Sequence, residues 1–191
     1  MNTSESLVKS KGQLLQEAYR MHYEPYAKHF QYAVTLTLKF RETIKTPIFD
    51  NYDAGYYTRM VSLNDEILSS RAKYFLVLLN KEIFGNKRKR EKYKNSAKLL
   101  AIVAEEGRTN GKRPHLHIAL GNLPFYELEA MTAIIKKTWQ RCDFAYKEIN
   151  VQSITSGAGW LGYLTKEVGY CNNDVLNVTD SYIPTFLKEN N

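Results

Sequence analysis

The alternation of apolar and polar residues along the chain predicts a mixture of helices and strands. Apolar residues recur at helical spacing in four segments, residues 13–31, 62–85, 124–141 and 160–168. Segments rich in β-branched and apolar residues, which favour strands, cover residues 32–40, 99–106, 115–120 and 144–154. The predicted order is therefore helix, strand, helix, strand, strand, helix, strand, helix.

The boundaries of the second helix follow from its flanking residues. Residues 41–57 contain Pro47 and Gly55 together with several Tyr and Asp residues, a composition that predicts a loop. The helix is expected to begin near Ser62, whose hydroxyl can cap the first turn, and to end at Gly85. In the preceding first helix, the predicted apolar stripe consists of Leu14, Leu15, Ala18 and Met21.

A small antiparallel sheet backed by helices is the simplest arrangement that buries these apolar faces. We therefore expect an α+β fold with a ferredoxin-like or RRM-like plan, although the strand order is not readable from the pattern. A chain of 191 residues is of the size of a single domain, residues 1–191. Residues 1–31 are predicted as a partly helical lead-in, and residues 171–191 as a polar tail.

Composition adds a preference for an anionic partner. The formal net charge is +7, so we expect a polyanionic partner such as nucleic acid. Aromatic residues make up 13% of the chain. The two cysteines, Cys142 and Cys171, form no disulfide framework, which fits a reducing compartment. The polar N-terminus is unlike a secretory signal, and no apolar run approaches the roughly 20 residues that span a bilayer. We expect no membrane partner.

The strongest chemical signal is a hairpin that carries two histidines. Residues i and i+2 of a strand project from the same face, so His115 and His117 point the same way. A carboxylate from the preceding strand, before Gly107, can converge on them. Glu106 is nearer the turn than Glu105, which would then be a solvated or structural residue. Two imidazoles and one carboxylate with open positions form a catalytic type of divalent-metal site.

The last predicted helix adds a nucleophile and a cation. Tyr163 and Lys166 are three residues apart, so both would lie on one face of that helix. A phenol has a pKa near 10 and is a weak nucleophile without help. Beside a metal that polarises a phosphoryl oxygen, a phenol can attack phosphorus while an ammonium stabilises charge on the phosphate.

Three motifs in order resemble those of the HUH endonucleases, specifically the single-tyrosine initiators of rolling-circle replication. Residues 34–38 (Val-Thr-Leu-Thr-Leu) resemble the family's first motif, a core strand. His115-Leu116-His117 matches its histidine motif, and the Tyr-x-x-Lys motif is matched by Tyr163 and Lys166. The resemblance covers about residues 32–170. No Gly-x-x-x-x-Gly-Lys-Ser/Thr loop follows, so we expect no helicase domain.

The resemblance implies a function and a site. The implied activity is metal-dependent nicking and rejoining of single-stranded DNA at an origin or hairpin end, through a covalent 5′-phosphotyrosine. Tyr163 would be the nucleophile and Lys166 its assisting cation, while Glu106, His115 and His117 would bind Mn²⁺ or Mg²⁺. Imidazole ligands also bind Zn²⁺. Phosphoryl chemistry at a site with both nitrogen and oxygen ligands favours Mn²⁺ or Mg²⁺. The host would supply a helicase and a polymerase, in the bacterial cytoplasm or in a eukaryotic nucleus.

Basic residues in two segments are predicted to contact DNA. Single-strand binders combine cationic grooves with aromatic side chains. The candidates are Lys87, Arg88, Lys89 and Arg90 in a dense basic run, and Arg108, Lys112 and Arg113 in the hairpin turn. A solvated loop is the equally weighted interpretation of the basic run.

Two other functions remain open. A single-strand transposase of a mobile element shares the histidine motif and the tyrosine chemistry, although Lys166 after Tyr163 favours the replication class. A noncatalytic, RRM-like nucleic-acid-binding module would need neither the two histidines nor the tyrosine. Conjugative relaxases usually place the tyrosine before the histidine motif, in contrast to the order in this chain.

Overall fold

The computed structural model describes residues 9–50, 53–93, 96–107, 113–169, 175–176 and 179–189. Its strands are β1 (Phe30–Leu38), β2 (Arg41–Asp50), β3 (Asp53–Ser62), β4 (Leu100–Glu106), β5 (His115–Gly121) and β6 (Ala145–Ser153). Its α-helices are α1 (Lys11–Ala27), α2 (Asp65–Phe84), α3 (Leu128–Trp139), α4 (Gly157–Leu164) and α5 (Thr185–Glu189). Two short 3₁₀ segments, Gly85–Lys89 and Glu91–Tyr93, follow α2.

Four strands form one antiparallel sheet in the order β4–β5–β1–β6. The elements that build this sheet and its first helical layer follow the chain order β1, α2, β4, β5, α3, β6. Strands β2 and β3 form a separate two-stranded ribbon between β1 and α2. The predicted α+β class, with an antiparallel sheet flanked by helices, is confirmed.

Both faces of the sheet are covered by helices. On one face, Val34, Leu36 and Leu38 of β1 pack with Leu116 and Ile118 of β5 against apolar residues of α2 and α3. The opposite face carries a second buried cluster, in which residues of β4 and β5 meet α1, α4 and the C-terminal segment, of which residues 175–176 and 179–189 are described. Each fully buried Leu or Val side chain contributes about 1.5–3 kcal/mol. The histidine face is therefore largely enclosed.

The prediction of a loop over residues 41–57 is wrong. This region forms most of the β2–β3 ribbon, in which Arg41 pairs with Ser62 and Pro47 pairs with Tyr56. Proline and glycine signal loops because they weaken a central strand, but an isolated ribbon has only edge strands, where proline is tolerated. The ribbon's other residues include many β-branched and aromatic types that favour strands.

Two helix predictions also need correction. The side chain of Asn64, not Ser62, caps α2 by accepting a hydrogen bond from the backbone N–H of Ile67 at 2.8 Å. In α1, the predicted stripe is rotated from the true one, since Leu14 and Met21 are exposed. The buried face of α1 carries tyrosines, with Tyr23 fully enclosed, and a phenol buries its ring as effectively as an aliphatic chain does.

The C-terminal segment lies along the outer edge of β4. Tyr182 exchanges two backbone hydrogen bonds with Ala101, and the N–H of Glu105 donates to the carbonyl of Val175 at 2.8 Å. These contacts satisfy backbone groups that an edge strand would otherwise expose. Among the described residues, no helix is long and apolar enough to cross a bilayer.

Candidate metal and nucleophile site

The β4–β5 hairpin brings the predicted metal ligands together. Glu106 pairs directly with His115, and Ala104 pairs with His117, so the carboxylate and both imidazoles share one face. Gly107, at φ +92°, turns the chain immediately after Glu106. A Cβ atom at this position would lie 2.5 Å from the carbonyl oxygen of Arg113, so only glycine fits the turn.

Both histidines approach the same oxygen of Glu106. Its Oε2 lies 3.2 Å from Nε2 of His117 and 3.5 Å from Nε2 of His115. The ligand atoms of the three residues all lie within 4.8 Å of one another. The other oxygen, Oε1, is buried and has no hydrogen-bond partner among the described residues. Because a buried carboxylate oxygen normally has a partner, this cluster fits a divalent ion with mixed N/O ligands.

Neighbouring groups orient the two imidazoles. Nδ1 of His115 lies 2.9 Å from the carbonyl oxygen of Arg113, and this oxygen can only accept, so Nδ1 carries the proton. Nδ1 of His117 lies 2.9 Å from the hydroxyl of Thr35 on β1. Both contacts direct the Nε2 atoms towards Glu106. Hydrogen bonds of this kind set the orientation and tautomer of metal-binding histidines.

The charges of the cluster favour an ionised carboxylate. Burial acts to raise the pKa of Glu106, but hydrogen bonds from His115, His117 and Lys166 outweigh burial and hold this pKa well below its usual range. Burial lowers the pKa of His117, so its imidazole is neutral near pH 7. The hydrogen bond with Glu106 raises the pKa of His115. An ionised carboxylate and a neutral imidazole are the protonation states that bind metals.

Glu105 lies on the other face of β4, opposite Leu116. Adjacent side chains of a strand point to opposite faces, so Glu105 and Glu106 face opposite ways, as the sequence indicated. Glu105 is 4% exposed, so the interpretation of a solvated residue is wrong and the structural one remains. Only Glu106 of this pair faces the imidazoles.

Tyr163 reaches the cluster from α4. Its hydroxyl lies 3.4 Å from Nε2 of His117, and 37% of the residue is exposed. The side chain of Ser156 caps α4 by accepting from the N–H of Gly159 at 3.1 Å. The indole of Trp160, one turn before Tyr163, stacks on the phenol at 4.7 Å between centroids and 19° between planes. The phenol oxygen is therefore held beside the candidate ligands.

Lys166 lies beyond the end of α4, which corrects its predicted place on the helix. The helix ends at Leu164, and Lys166 occupies the following turn, where its N–H donates to the carbonyl of Tyr163 at 3.2 Å. Its Nζ still lies 3.0 Å from Oε2 of Glu106 and 3.7 Å from the centroid of the Tyr163 ring. Burial acts to lower the pKa of Lys166, but bonds to Tyr163 and Glu106 raise it overall.

Helix α1 supports the turn that carries Lys166. The side chain of Gln16 donates to the carbonyl of Thr165 at 2.7 Å, and Nε of Arg20 donates to its hydroxyl at 2.9 Å. Gly12 and Gly169 bring the two backbones into direct contact, because a Cβ atom on Gly12 would lie 2.6 Å from Cα of Gly169. These contacts join residues about 150 positions apart in sequence.

The predicted DNA-binding residues lie in two places. Lys87, Arg88 and Lys89 belong to the first 3₁₀ segment, and Arg90 follows it. Arg88 lies beside Lys98 and Leu99, near the start of β4 and therefore at the opposite end of this strand from Glu106.

Arg113 lies next to the histidine strand. Its guanidinium carbon lies 4.2 Å from the ring centroid of Tyr146 and 5.9 Å from that of Phe40. This arrangement is a cation–π contact that keeps the charge at the surface. Arg108 and Lys112, predicted in the same turn, lie outside the described residues.

Four supporting residues escaped the sequence analysis. Thr35 was recognised only as part of a strand, although its side of β1 faces the histidines once β1 and β5 pair in register. Trp160 precedes Tyr163 by three residues, and this helical spacing was a usable signal. Gln16 and Arg20 offered no such signal, because their contacts depend on the packing of α1.

Comparison with known proteins found no matching family model, no matching curated protein and no matching solved structure.

Proposed function

We propose that this protein is a metal-dependent endonuclease and strand-transferase for single-stranded DNA, of the HUH single-tyrosine replication-initiator type. The observation that carries the proposal is the position of the Tyr163 hydroxyl, 3.4 Å from Nε2 of a candidate metal ligand. The nucleophile and the ligand cluster come from segments more than 40 residues apart. A phenol, a lysine and a His₂Glu cluster suit phosphoryl transfer better than hydrolysis by metal-bound water alone.

The chemistry assigns the attacking group to Tyr163. Its oxygen bonds to the phosphorus of one phosphodiester as the bond from phosphorus to the 3′ oxygen breaks. The phenol loses one proton and the leaving oxygen gains one, which yields a 5′-phosphotyrosine and a free 3′-hydroxyl. Because the ester retains the bond energy, attack by a 3′-hydroxyl reverses the step and rejoins the strands.

Lys166 and Trp160 act on the tyrosine itself. The ammonium of Lys166 lies 3.7 Å from the centroid of the Tyr163 ring and stabilises the negative charge that develops on the phenol oxygen. Trp160 restricts the ring to one orientation by stacking on it. Glu106 holds the same ammonium at 3.0 Å, so one carboxylate links the cation to the ligand cluster.

Glu106, His115 and His117 would hold the ion, with Mn²⁺ or Mg²⁺ favoured for phosphoryl chemistry. When bound, such an ion polarises a phosphoryl oxygen and offsets negative charge at the phosphorus. The strand order β4–β5–β1–β6 agrees with a ferredoxin-like core, the plan expected for this type of enzyme. A noncatalytic RRM-like module exposes sheet aromatics to RNA, whereas Phe30 and Tyr32 of β1 are buried here.

Covalent capture of DNA tests the proposal. The protein is incubated with a fluorescent random-sequence library of single-stranded DNA and Mn²⁺ or Mg²⁺, then denatured and separated by size. We expect a labelled protein–DNA adduct that Tyr163→Phe abolishes while DNA binding persists. Tyr56→Phe, at a tyrosine that is 71% exposed on β3, is the matched control and should leave the adduct unchanged.

Two outcomes would contradict the mechanism. An adduct that survives in Tyr163→Phe would remove this residue as the nucleophile. Full cleavage in the presence of a chelator would remove the metal from the reaction. The transposase alternative shares this adduct and would be distinguished by joining of two ends of a mobile element.

A further inference from the structure

A cavity of about 300 Å³ lies at the opposite end of β4 from the metal cluster. It opens to solvent and is lined by α2, by the residues that lead into β4 and by the C-terminal segment that pairs with this strand. The volume is at the lower end of the range for small-ligand sites. None of the chemistry proposed above uses this cavity.

The walls of the cavity are apolar and include one aromatic ring. Leu76 and Leu99 are buried within the wall, while Val77 at the mouth is 59% exposed. Tyr182 is 38% exposed, and its backbone is fixed by two hydrogen bonds to Ala101, at 2.7 and 2.9 Å. A planar, apolar group can therefore lie against a tyrosine whose backbone is already anchored.

The rim of the cavity is cationic. Nε of Arg88 is buried and has no hydrogen-bond partner among the described residues, while Nζ of Lys98 lies 6.0 Å from the centroid of the Tyr182 ring. The carboxylate at the cavity, Asp180, is held by Lys73 at 3.0 Å and by the hydroxyl of Ser69 at 2.8 Å. Lys73 thus offsets the charge of Asp180, and the cavity also carries the cationic side chains of Arg88 and Lys98, which can attract an anion.

We infer that this cavity binds one nucleotide of a DNA strand, with the base against Tyr182 and a phosphate on Arg88 and Lys98. The choice of DNA as the polymer rests on the proposed function. Stacking on an aromatic ring beside cations is the common mode of single-strand binding. Tyr182 pairs with Ala101, and Glu106 lies five residues further along β4, so the two strand positions are about 17 Å apart at about 3.4 Å per residue.

Equilibrium binding under non-cleaving conditions tests this inference. Fluorescence anisotropy of a labelled random-sequence single strand is measured in EDTA with the Tyr163→Phe protein, over a range of NaCl concentrations. We expect Arg88→Ala/Lys98→Ala to weaken binding at least tenfold and to lower the salt slope, the slope of log affinity against log NaCl concentration, by about 0.7, the value for one lost phosphate contact on a single strand. Lys11→Ala/Lys136→Ala, which removes two exposed cations elsewhere, should change neither quantity.

A second variant separates base insertion from simple charge attraction. Val77→Trp fills the mouth of the cavity and retains every cation, so we expect at least fivefold weaker binding with an unchanged salt slope. Unchanged affinity in either cavity variant would overturn the inference. Binding of dAMP as tight as that of the oligonucleotide would also overturn it, because the cavity would then serve a free nucleotide.

Failure of this inference is distinguishable from failure of the proposed function. The binding measurements need neither metal nor the tyrosine nucleophile. A protein that forms no covalent adduct and still shows the expected binding pattern retains the nucleotide site and loses the proposed reaction. A protein that forms the adduct but binds DNA equally well in all cavity variants retains the reaction and loses the nucleotide site.

Discussion

Thr35 lies beside the candidate metal ligands without being one of them. Its hydroxyl is 2.9 Å from Nδ1 of His117, and this contact holds the imidazole with Nε2 towards Glu106. The partner is on β1, whereas the histidine is on β5, so the pairing of two strands sets the orientation of a ligand. Such supporting hydrogen bonds typically change metal affinity by 10–100-fold.

Thr35→Val retains the shape of the side chain and removes the hydroxyl. We expect Mn²⁺ affinity to fall by about 10–100-fold, because His117 loses the hydrogen bond that holds the orientation of its ring. Quenching of tryptophan fluorescence by Mn²⁺ is a suitable measurement, since the Trp160 ring lies 6.4 Å from that of His117.

Thr37→Val is the matched control for this change. Thr37 faces the same side of β1, opposite His115, and makes no hydrogen bond to either imidazole among the described residues. We expect the Thr37→Val protein to bind Mn²⁺ with unchanged affinity. Equal loss in both variants would mean that the effect arises from the strand and not from the hydroxyl.

At the scale of elements, α1 and the turn after α4 depend on a close approach of two glycines. Gly12 and Gly169 allow α1 to lie against this turn, and Gln16 and Arg20 then bond to Thr165. Lys166 follows Thr165 directly. The lead-in helix therefore supports the position of a proposed catalytic cation from a segment that carries no motif.

Gly12→Ala should destabilise the protein by about 1–3 kcal/mol, because its Cβ would meet the backbone of Gly169 at 2.6 Å. The measurement is urea unfolding followed by circular dichroism.

Gly162→Ala in α4 is the control, and we expect it to change the free energy of unfolding in the opposite direction. Its nearest neighbour is Nη2 of Arg20 at 3.9 Å, so we expect a gain of about 0.5–1 kcal/mol from helix propensity alone. If the Gly12→Ala protein unfolds at the same urea concentration as the original protein, α1 can shift away from Gly169 without a loss of stability.

Metal binding should raise the stability of the whole molecule, because the three ligands come together only in the folded state. Glu106, His115 and His117 are brought within 4.8 Å by strand pairing that the unfolded chain lacks. An ion that binds only the native state stabilises it by about 2.7 kcal/mol at a concentration of 100 times Kd. For a domain of this size, each kcal/mol raises Tm by about 2–4 °C.

We therefore expect Mn²⁺ at this concentration to raise Tm by about 5–10 °C in a thermal melt. Glu106→Gln should abolish the rise, because a neutral amide is a much weaker ligand for a hard divalent cation. Asp143→Asn, which removes a surface carboxylate that pairs with Arg71, should retain the full rise. A similar rise in Glu106→Gln would place the bound metal elsewhere.

The sequence by itself determined the local geometry of the candidate site. A strand alternates its side chains, so His115 and His117 had to share a face, and Glu105 and Glu106 had to face opposite ways. A short turn with Gly107 then made their convergence with Glu106 predictable. The helical layer also followed, because Leu68, Ala72, Phe75 and Leu79 repeat at helical spacing and are all buried in α2.

Only the tertiary structure decided which distant residues complete that site. Lys166 reaches Glu106 from a turn and not from the predicted helix, and Thr35 meets His117 through the register of β1 with β5. Periodicity likewise did not predict the β2–β3 ribbon or the pairing of the C-terminal segment with β4. Periodicity reports the backbone geometry of one segment, whereas these contacts depend on how separate segments pack and satisfy each other's polar groups.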